Sequence, residues 1–475
     1  MGSCASSASS GSNELHASST SGRRSVYRTS GASSKTPAAP SCAPAPEIHK
    51  EMINALCATS TPGTVVTGSD DGSLALYDAA LGRVLHRWLG HSKPVNALAW
   101  SARGETAFSV SRDLTLRAWR RSAGAGPTAT VTTPHTLSPS ALAACADATV
   151  LATGGRDYRV LAWDVNTLTS TWAAPELTQN VVTCLAWLPG APALLLQGSE
   201  DCTLRLWDVR TRTRTPAVAF PRAAHFALAC AAFDAAPGLI ASAGNGFCGD
   251  GCATTLWDAR VPRALATIAP FSDNVGYEND NDSGDCNNNG NGDITDNGGS
   301  TAGEWGEPQW RDAAAHHEAV SACAFLPGGD NTASASGASA SAAGSPLYPR
   351  LATAGRDGEL VWGLPLRSTA LQTSAGGGGG GVTWAPAPGA RPRVQRLPTS
   401  GGVGGRGATA VAAHWDASTA QGTLFVGTDD GRVGAWRYGA CARRARGYGG
   451  DDDWEGAHLT AVQIPVGEAV VTRFQ

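Results

Sequence analysis

The stretch from Gly198 to Asp208 reads GSEDCTLRLWD, a tight turn followed by a short strand that ends in Trp-Asp. The first four intervals between such aromatic strand ends are 42, 44, 44 and 50 residues. A period of about 40–45 residues with a Trp-Asp ending marks one four-stranded blade of a β-propeller. The sequence therefore predicts an all-β, seven-bladed WD-repeat β-propeller. The seven strand ends are Tyr77-Asp78, Trp119-Arg120, Trp163-Asp164, Trp207-Asp208, Trp257-Asp258, Trp362-Gly363 and Trp436-Arg437.

The repeat begins after a tail of different composition. Residues 1–46 are rich in Ser, Ala and Pro and have almost no apolar periodicity, so they cannot bury enough surface to fold alone. We expect a disordered tail there and the propeller over residues 47–475. Apolar runs between turn residues predict three strands of blade one, at Ile53–Ala58, Thr64–Gly68 and Leu74–Tyr77.

The spacing widens in the second half of the chain, where 105 residues separate Trp257 from Trp362 and 74 separate Trp362 from Trp436. The excess lies in stretches rich in Gly, Ser, Asn, Asp or Pro, which lack core-forming residues. Two segments can supply the last outer strand, Ser25–Thr29 and Glu468–Phe474, and we favour the C-terminal one. We expect disordered inserts that leave the ring intact at residues 273–303, 328–344 and 374–407.

Bulk composition excludes several classes of protein. Only 16% of the residues are charged and the formal net charge is −4, which argues against a nucleic-acid binder that relies on a basic face. The 12 cysteines are scattered singly and no apolar signal sequence precedes them, which favours a reducing cytosol. The longest apolar runs, such as Val181–Leu188, are strand-sized and far short of the ~20 residues that a membrane span needs.

The residues that precede each aromatic strand end form a second repeating pattern. Blade two has it in full, with the four positions of the WD-repeat hydrogen-bond tetrad at His91, Ser109, Asp113 and Trp119. The carboxylate can accept hydrogen bonds from turn amides and orient the imidazole, which then binds the hydroxyl and the indole N–H. The His-to-aromatic step of 28 residues recurs from His49 and His135, and the Asp-to-aromatic step of six recurs from Asp71 to Tyr77, Asp157 to Trp163, Asp201 to Trp207 and Asp430 to Trp436.

A set of His, Asp and Ser also invites a catalytic-triad interpretation, but its repetition in blade after blade favours a structural role. The sequence has neither a Gly-x-Ser-x-Gly elbow nor a phosphate-binding Gly-Lys-Ser/Thr loop. We therefore expect no enzyme, no catalytic residue and no cofactor.

Blade five departs from the pattern. From Gly244 to Asp258 it reads GNGFCGDGCATTLWD, and its two thiols, Cys248 and Cys252, favour an unusual glycine-rich turn over a zinc site. A partial calcium-loop match from Asp293 to Glu304 lacks flanking helices. We expect no metal at either place.

The first six residues read MGSCAS and satisfy the myristoylation pattern, because removal of Met1 exposes Gly2 and Ser6 stands at position six. Cys4 adds a palmitoylation site. One myristoyl chain holds a protein only marginally, whereas a second acyl chain makes attachment stable. The sequence thus predicts a tether to the cytoplasmic face of a membrane through Gly2 and Cys4.

Two stretches resemble a known family. NVVTCLAWLP from Asn180 to Pro189, followed by GSEDCTLRLWDVR from Gly198 to Arg210, resembles blade four of the WD repeat-containing protein 31 family. The enlarged blade-five turn, NGFCGDGC, followed by TLWDAR up to Arg260, is similar to the same family. The likeness covers roughly residues 47–436.

This resemblance implies a non-enzymatic scaffold at the cilium or flagellum, or at its base. Such a scaffold helps control trafficking of intraflagellar transport and BBSome cargo complexes, together with GTPase-regulating proteins. It implies a monomer within larger protein complexes and no nucleic-acid partner. The inserts after Trp257 and Trp362 are departures from the family.

A second interpretation comes from Trp207-Asp-Val-Arg210 and Trp257-Asp-Ala-Arg260. Both resemble the Trp-Asp-x-Arg box of substrate receptors for cullin-4 ubiquitin ligases, in which Arg210 and Arg260 would contact the ligase adaptor. The box is weakly specific, because an Arg two residues past Asp is also common as a solvated charge at a strand end.

Overall fold

A computed structural model describes most of the chain from residue 47 onward. Within it the chain is almost entirely strand and turn, with one short 3-10 helix at Arg121–Ala123. Seven sheets of four or five strands follow one another as blades, beside one small three-stranded sheet. The predicted all-β, seven-bladed propeller is confirmed. The described residues are 47–145, 147, 149–174, 181–189, 191–211, 215–220, 227–232, 238–244, 252–260, 264–269, 309–311, 315–327, 346–347, 349–370, 382–397, 407–439 and 460–461.

Each of the first four blades is an antiparallel meander of four consecutive strands. Blade one consists of β1 (Ile53–Ala58), β2 (Thr64–Ser69), β3 (Leu74–Asp78) and β4 (Arg83–Trp88). Blade two consists of β5 (Val95–Ser101), β6 (Thr106–Ser111), β7 (Thr115–Arg120) and β8 (Ala129–Thr132). Blade three consists of β9 (Pro139–Ala144), β10 (Val150–Gly155), β11 (Val160–Asp164) and β12 (Ser170–Ala173). Blade four consists of β13 (Val182–Trp187), β14 (Leu194–Ser199), β15 (Leu204–Asp208) and β16 (Val218–Phe220).

The last three blades carry additions. Blade five consists of β17 (Ala227–Ala232), β18 (Leu239–Gly244), β19 (Thr254–Asp258) and β20 (Ala264–Ala269), with β21 (Gln309–Arg311) parallel to β20. Blade six consists of β22 (Val320–Leu326), β24 (Arg350–Gly355), β25 (Gly358–Gly363) and β28 (Arg393–Arg396). The small sheet contains β23 (Pro346–Leu347), β26 (Leu366–Ala370) and β27 (Val382–Pro386). Blade seven consists of β29 (Ala408–Asp416), β30 (Gln421–Thr428), β31 (Val433–Gly439) and β32 (Thr460–Ala461).

One expected insert contains ordered strands. The prediction that residues 374–407 form a disordered loop is wrong in part, because β27 and β28 lie within that range, and β28 pairs with β25 as the outer strand of blade six. Trp384 is only 4% exposed and packs against the core of blades five and six. A few apolar residues suffice for a strand at the edge of a core, although glycine and proline dominate the surrounding composition. The inserts at 273–303 and 328–344 and the tail at 1–46 lie outside the described residues.

The fourth strand of blade seven comes from the C-terminal side, as favoured, but earlier than expected. It is β32, which pairs with Trp436 and Arg437. The two segments considered from sequence, Ser25–Thr29 and Glu468–Phe474, lie outside the described residues.

The core lies between neighbouring blades. The second strands β2, β6, β18 and β24 are buried along their whole length, whereas the outer strands β8 and β12 are mostly exposed. Glycine lets the next blade approach closely: a Cβ on Gly68 would lie 2.8 Å from Val95 Cγ1 of blade two. Gly427 has the same relation to Ile53, at 2.9 Å, so blade seven packs on blade one as blade one packs on blade two.

A circuit of hydrogen bonds joins successive blades. In all seven inner strands the pairing register shifts after the first residue and leaves the second residue unpaired, and in five of them the bond that this residue makes is described. Such a bulge redirects the side chain, which here donates a hydrogen bond to a backbone carbonyl at the start of the next blade. The pairs are Asn54 with Val95, Asn96 with Pro139, Ser140 with Val182, Ser321 with Ala408, and Thr409 with Ile53, and the last pair closes the ring.

Candidate functional site: the tetrads and the two faces of the ring

Blade two holds the predicted tetrad as one connected chain of hydrogen bonds. His91 Nδ1 lies 2.8 Å from Asp113 Oδ2, and His91 Nε2 lies 2.7 Å from Ser109 Oγ. Trp119 Nε1 donates to the same Ser109 Oγ at 2.7 Å. These residues come from the segment before β5, from β6, from the turn after β6 and from β7, so the tetrad ties two strands, their turn and the segment between blades together.

The charges of this tetrad follow from its burial and its hydrogen bonds. Burial alone would raise the pKa of Asp113, but hydrogen bonds from Thr115 and His91 outweigh it and lower the pKa to about 2. Burial lowers the pKa of His91 in spite of the attraction of Asp113. The imidazole is therefore neutral at pH 7, with Nδ1–H donating to the carboxylate and Nε2 accepting from Ser109.

Ser109 is unsuited to act as a nucleophile. Its hydroxyl gives its single hydrogen to His91 and accepts the indole N–H of Trp119, and the residue is 0% exposed. A substrate has no access to this oxygen. The geometry is that of a structural clamp inside the blade.

Blade three repeats the arrangement with threonine in place of serine, and blade one repeats its bonds to histidine but has Tyr77 in place of the tryptophan. In blade one His49 lies 3.1 Å from Asp71 and 2.7 Å from Thr67 Oγ1. In blade three the hydroxyl of Thr153 lies 2.9 Å both from His135 Nε2 and from the indole N–H of Trp163, and Asp157 lies 2.9 Å from His135 Nδ1.

Blade six contains a further tetrad that the sequence reasoning missed. His316 Nδ1 lies 2.5 Å from Asp357 Oδ1, and Thr353 Oγ1 lies 2.9 Å from His316 Nε2 and accepts from Trp362 Nε1 at 3.1 Å. The Asp-to-Trp step here is five residues and the His-to-Trp step is 46, so neither fixed spacing found it. The local run TAGRD from Thr353 to Asp357, which parallels TGGRD from Thr153 to Asp157, was the available signal.

Blade four departs from the expected tetrad. Asp201 binds the guanidinium of Arg205 at 2.5 Å, and Trp207 Nε1 donates to Gln197 Oε1 at 2.6 Å. Gln197 stands where Ser109 stands in blade two, and its longer side chain carries the acceptor to the indole without an imidazole. Asp201 and Trp207 are thus both held, but by separate partners.

Blade seven departs in another way. Asp430 lies 2.8 Å from Arg432 Nε and accepts a hydrogen bond from Thr428. Val426 stands at the hydroxyl position, and Trp436 Nε1 is buried without a hydrogen-bond partner within the described chain. The fixed six-residue step from Asp430 therefore identifies a turn and an ion pair rather than a tetrad.

In blade five Trp257 Nε1 donates to Ser242 Oγ at 3.0 Å, and Cys252 is buried. Cys248 and the rest of the enlarged turn lie outside the described residues. In the part of the chain that the structure describes, no three His, Cys, Asp or Glu side chains are grouped so that they could hold a metal.

The turns between second and third strands, and the segments between blades, lie at one end of the antiparallel sheets. We call this end the top face and the opposite end the bottom face. Arg210 and Arg260 lie on the bottom face, in the turns after β15 and β19. The Arg210 side chain is 74% exposed, with Nη2 2.8 Å from Asp208 Oδ2, and Arg260 Nε lies 3.6 Å from Asp258 Oδ1. Each guanidinium is therefore held by the carboxylate of its own turn.

Tyr158 is the most unusual residue of the top face. It follows the tetrad residue Asp157, has a left-handed φ of 70° and is 41% exposed. The same turn position holds glycine in blades one, six and seven, at Gly72, Gly358 and Gly431. A residue with a Cβ in this conformation costs roughly 1–2 kcal/mol relative to glycine.

Other exposed side chains lie in the top-face turns and segments of blades two and three. Leu137, 53% exposed, lies in the segment next to Ser138, whose carbonyl accepts from the backbone N–H of Arg156. Arg112 of blade two occupies the position that Arg156 occupies in blade three, and both are exposed. Within the described residues neither guanidinium has an ion-pair partner. We call Arg112, Leu137, Arg156 and Tyr158 the top patch.

The propeller also matches known proteins by sequence. The family described as "WD domain, G-beta repeat" matches residues 45–78, 82–120 and 167–208. Each matched range ends at or one residue after an aromatic strand end.

Two relatives illustrate how local the likeness is. Ribosome biogenesis protein YTM1 of Coccidioides immitis (strain RS) is 36% identical over 135 residues, which cover 27% of this chain and 28% of that protein. Telomerase protein component 1 of Rattus norvegicus is 30% identical over 169 residues, which cover 31% of this chain and 6% of that protein. The chain thus spans less than a third of the length of either relative.

Gly2 and Cys4, the predicted acylation sites, lie outside the described residues. Among the residues that are described, no helix has the length and apolarity needed to cross a membrane.

Proposed function

Because this chain is a WD-repeat protein that folds as a seven-bladed propeller, we propose that it is a non-catalytic scaffold that holds protein partners on its top patch. Propellers built of these repeats generally bind protein partners and generally carry no catalytic site. The three full tetrads in the described residues and the modified blades use their His, Asp and hydroxyl groups internally, which leaves the exposed turns as the surface available for recognition.

Tyr158 is the observation that carries this proposal. Glycine would relieve roughly 1–2 kcal/mol of left-handed strain and would lose about 0.5–1 kcal/mol through the greater entropy of the unfolded chain. On these two backbone effects alone, tyrosine is neutral or unfavourable for folding at this position. Tyrosine and arginine are enriched among the residues that dominate binding energy at protein interfaces, so an exposed Tyr158, with Arg112 and Arg156 exposed in top-face turns of blades two and three, fits a recognition role.

The test compares Tyr158→Gly with the control Cys202→Gly. Cys202 occupies the same turn position in blade four and has a φ of 62°. We expect Tyr158→Gly to leave the unfolding free energy unchanged or to raise it by up to about 1 kcal/mol, and to remove co-purifying partners by at least about tenfold. Quantitative affinity purification from cells checks this. Retention of all partners by Tyr158→Gly, or equal loss in both variants, contradicts the top patch as the docking site.

We further propose that the scaffold is tethered to the cytoplasmic face of a membrane and works in ciliary or flagellar trafficking, with cargo complexes and GTPase regulators as partners. The MGSCAS start supports the tether, and the resemblance of residues 180–210 to the WD repeat-containing protein 31 family supports the cilium. Two acyl chains, on Gly2 and Cys4, are needed for stable attachment.

Membrane fractionation and imaging of the tagged full chain test the tether. Gly2→Ala is expected to release the protein to the cytosol, Cys4→Ser to weaken its retention, and Ser3→Ala, which keeps the acylation pattern, to change neither. Gly2→Ala protein that stays on membranes contradicts the tether, and a diffuse wild-type pattern contradicts both the tether and the cilium.

A second candidate function is that of a substrate receptor for a cullin-4 ligase. The exposure of Arg210, with its guanidinium oriented by Asp208, favours it. Charge reversal of Arg210 and Arg260 together is then expected to abolish co-purification of the ligase adaptor. Under the scaffold proposal the same variant keeps its ciliary localisation and its partners.

A further inference from the structure

A cleft opens on the bottom face between blade two and the turn that follows β11 of blade three. Its volume is about 220 Å³. We call it the blade-two cleft. Its apolar floor is formed mainly by Phe108, Ala118 and Leu168, and its polar walls by Arg103, Arg120 and Asn166.

The polar wall carries positive charge without a matching carboxylate. Arg103 and Arg120 are exposed, and within the described residues neither forms an ion pair. Arg120 Nε donates to Thr106 Oγ1 at 3.0 Å, and Thr106 in turn donates to the Gly104 carbonyl at 3.0 Å. This chain orients the guanidinium and leaves its two terminal nitrogens for a ligand.

Two acidic residues lie near the cleft, and neither pairs with these arginines. Glu105 is exposed in the turn next to Gly104 and does not line the cleft. Asp164 accepts hydrogen bonds from the backbone N–H groups of Asn166 and Thr167 within its own turn. The unpaired charge of Arg103 and Arg120 therefore selects an anion from outside this part of the chain.

The size of the cleft limits what this anion can be. A volume of about 220 Å³ corresponds to roughly seven water molecules at about 30 Å³ each, below the roughly 300–1,000 Å³ of sites for small-molecule ligands. It suits one side chain. The floor of Phe108 and Leu168 suits methylene groups, and a guanidinium pairs with a carboxylate through two parallel hydrogen bonds.

We propose that the blade-two cleft binds a glutamate side chain of a partner protein, with the carboxylate on Arg103 and Arg120 and the methylenes on Phe108 and Leu168. This site lies on the face opposite the top patch, so it goes beyond the scaffold function proposed above. It gives the ring a second docking point that can be occupied while the top patch holds another partner.

The test follows the Arg Nε–H signals of the full chain, labelled with ¹⁵N-arginine, during titration with short peptides. The probes are acetyl-Leu-Glu-Leu-amide, the same peptide with Gln, and the same peptide with phosphoserine. We expect a saturable shift of the Arg120 signal with the Glu peptide, and affinity lower by about tenfold with the Gln peptide, since a hydrogen bond between charged groups is roughly twice as strong as one between neutral groups.

Three variants locate the binding. Arg120→Gln and Arg103→Gln are each expected to lower the affinity for the Glu peptide by about tenfold. Arg103 lies in an exposed turn and forms no side-chain hydrogen bond or ion pair within the described residues, so its variant keeps the test valid if Arg120→Gln unfolds. Arg121→Gln removes a neighbouring charge that does not line the cleft and is expected to change the affinity less than about twofold because salt screens exposed charges.

Three results overturn the proposal. Equal binding of the Glu and Gln peptides, or the absence of a saturable Arg120 shift, shows that the cleft does not recognise a carboxylate. Tighter binding of the phosphoserine peptide shows that its ligand is a phosphate group instead.

Discussion

A buried hydroxyl oxygen stands at the centre of each full tetrad. In blades two, three and six it accepts an indole N–H and faces an imidazole nitrogen, at Ser109, Thr153 and Thr353. Removing it leaves two buried polar groups without partners, which costs more than the hydrogen bonds contribute on balance. Gln197 and Val426 replace the hydroxyl in blades four and seven, and neither blade forms this arrangement within its described residues.

We expect Ser109→Ala to lower the free energy of unfolding by about 1–3 kcal/mol, because His91 Nε2 and Trp119 Nε1 lose their common partner. Ser109→Thr is the matched control, since threonine fills the same position in blade three. Chemical denaturation of the two variants measures the difference. An equal loss of stability in both would mean that packing, rather than the hydroxyl, is responsible.

The low pKa of Asp113 predicts acid sensitivity. Its folded-state pKa of about 2 lies below the ordinary carboxyl value of about 4, so the unfolded chain binds more protons between these pH values. The stabilisation is fully present above about pH 4 and is lost as the pH falls toward 2. Denaturation midpoints measured across this window should fall more steeply for the wild type than for Asp113→Asn, whose side chain does not titrate there. Parallel curves would contradict the assignment.

At the scale of strands and turns, the regular spacing in the first half of the chain was sufficient to predict the positions of the blades. Blades one to three follow fixed steps of 28 and six residues because no insertion separates their strands. In blade six an insertion moves His316 away from Trp362, and a turn shorter by one residue changes the step from Asp357. Fixed spacing cannot detect a tetrad whose members are brought together by tertiary contact. β27 and β28 were missed because the composition around them is rich in glycine and proline, and their pairing also depends on contacts with distant parts of the chain.

Trp384 tests whether β27 belongs to the core. We expect Trp384→Ala to lower the free energy of unfolding by about 3–5 kcal/mol, the usual cost of removing a buried indole. Ala385 is exposed on the same strand, and Ala385→Ser should be nearly neutral. Thermal or denaturant unfolding of both variants checks this. A loss under about 1 kcal/mol for Trp384→Ala would restore the original prediction of a loop without core residues.

At the scale of the whole molecule, the number of blades was readable from seven aromatic strand ends, but the way the ring closes was not. Closure depends on the bulge after Ala408, the hydrogen bond from Thr409 to the Ile53 carbonyl and the space above Gly427. These are contacts between chain positions far apart, and no periodic signal in the sequence reports them. The described part of blade one is made only from its own consecutive strands.

We expect Thr409→Val, which keeps the shape of the side chain, to cost about 1 kcal/mol through loss of the bond between blades seven and one. Limited proteolysis should then cut the region of blade one faster than in the wild type. Thr419→Val is the control, because Thr419 binds only Asp416 in an exposed turn. If the two variants are digested at the same rate, the closing bond does not limit opening of the ring.

The same closing bond has a consequence for synthesis on the ribosome. Blade one emerges first with all four of its strands, but the residue that completes its inner edge, Thr409, lies 356 positions after Ile53. At about 5–20 residues per second, a nascent chain waits roughly 20–70 s for that partner. Throughout this interval the Ile53 edge is exposed to solvent. A surface that is fully buried in the finished ring is thus uncovered during synthesis, when a chaperone would protect it.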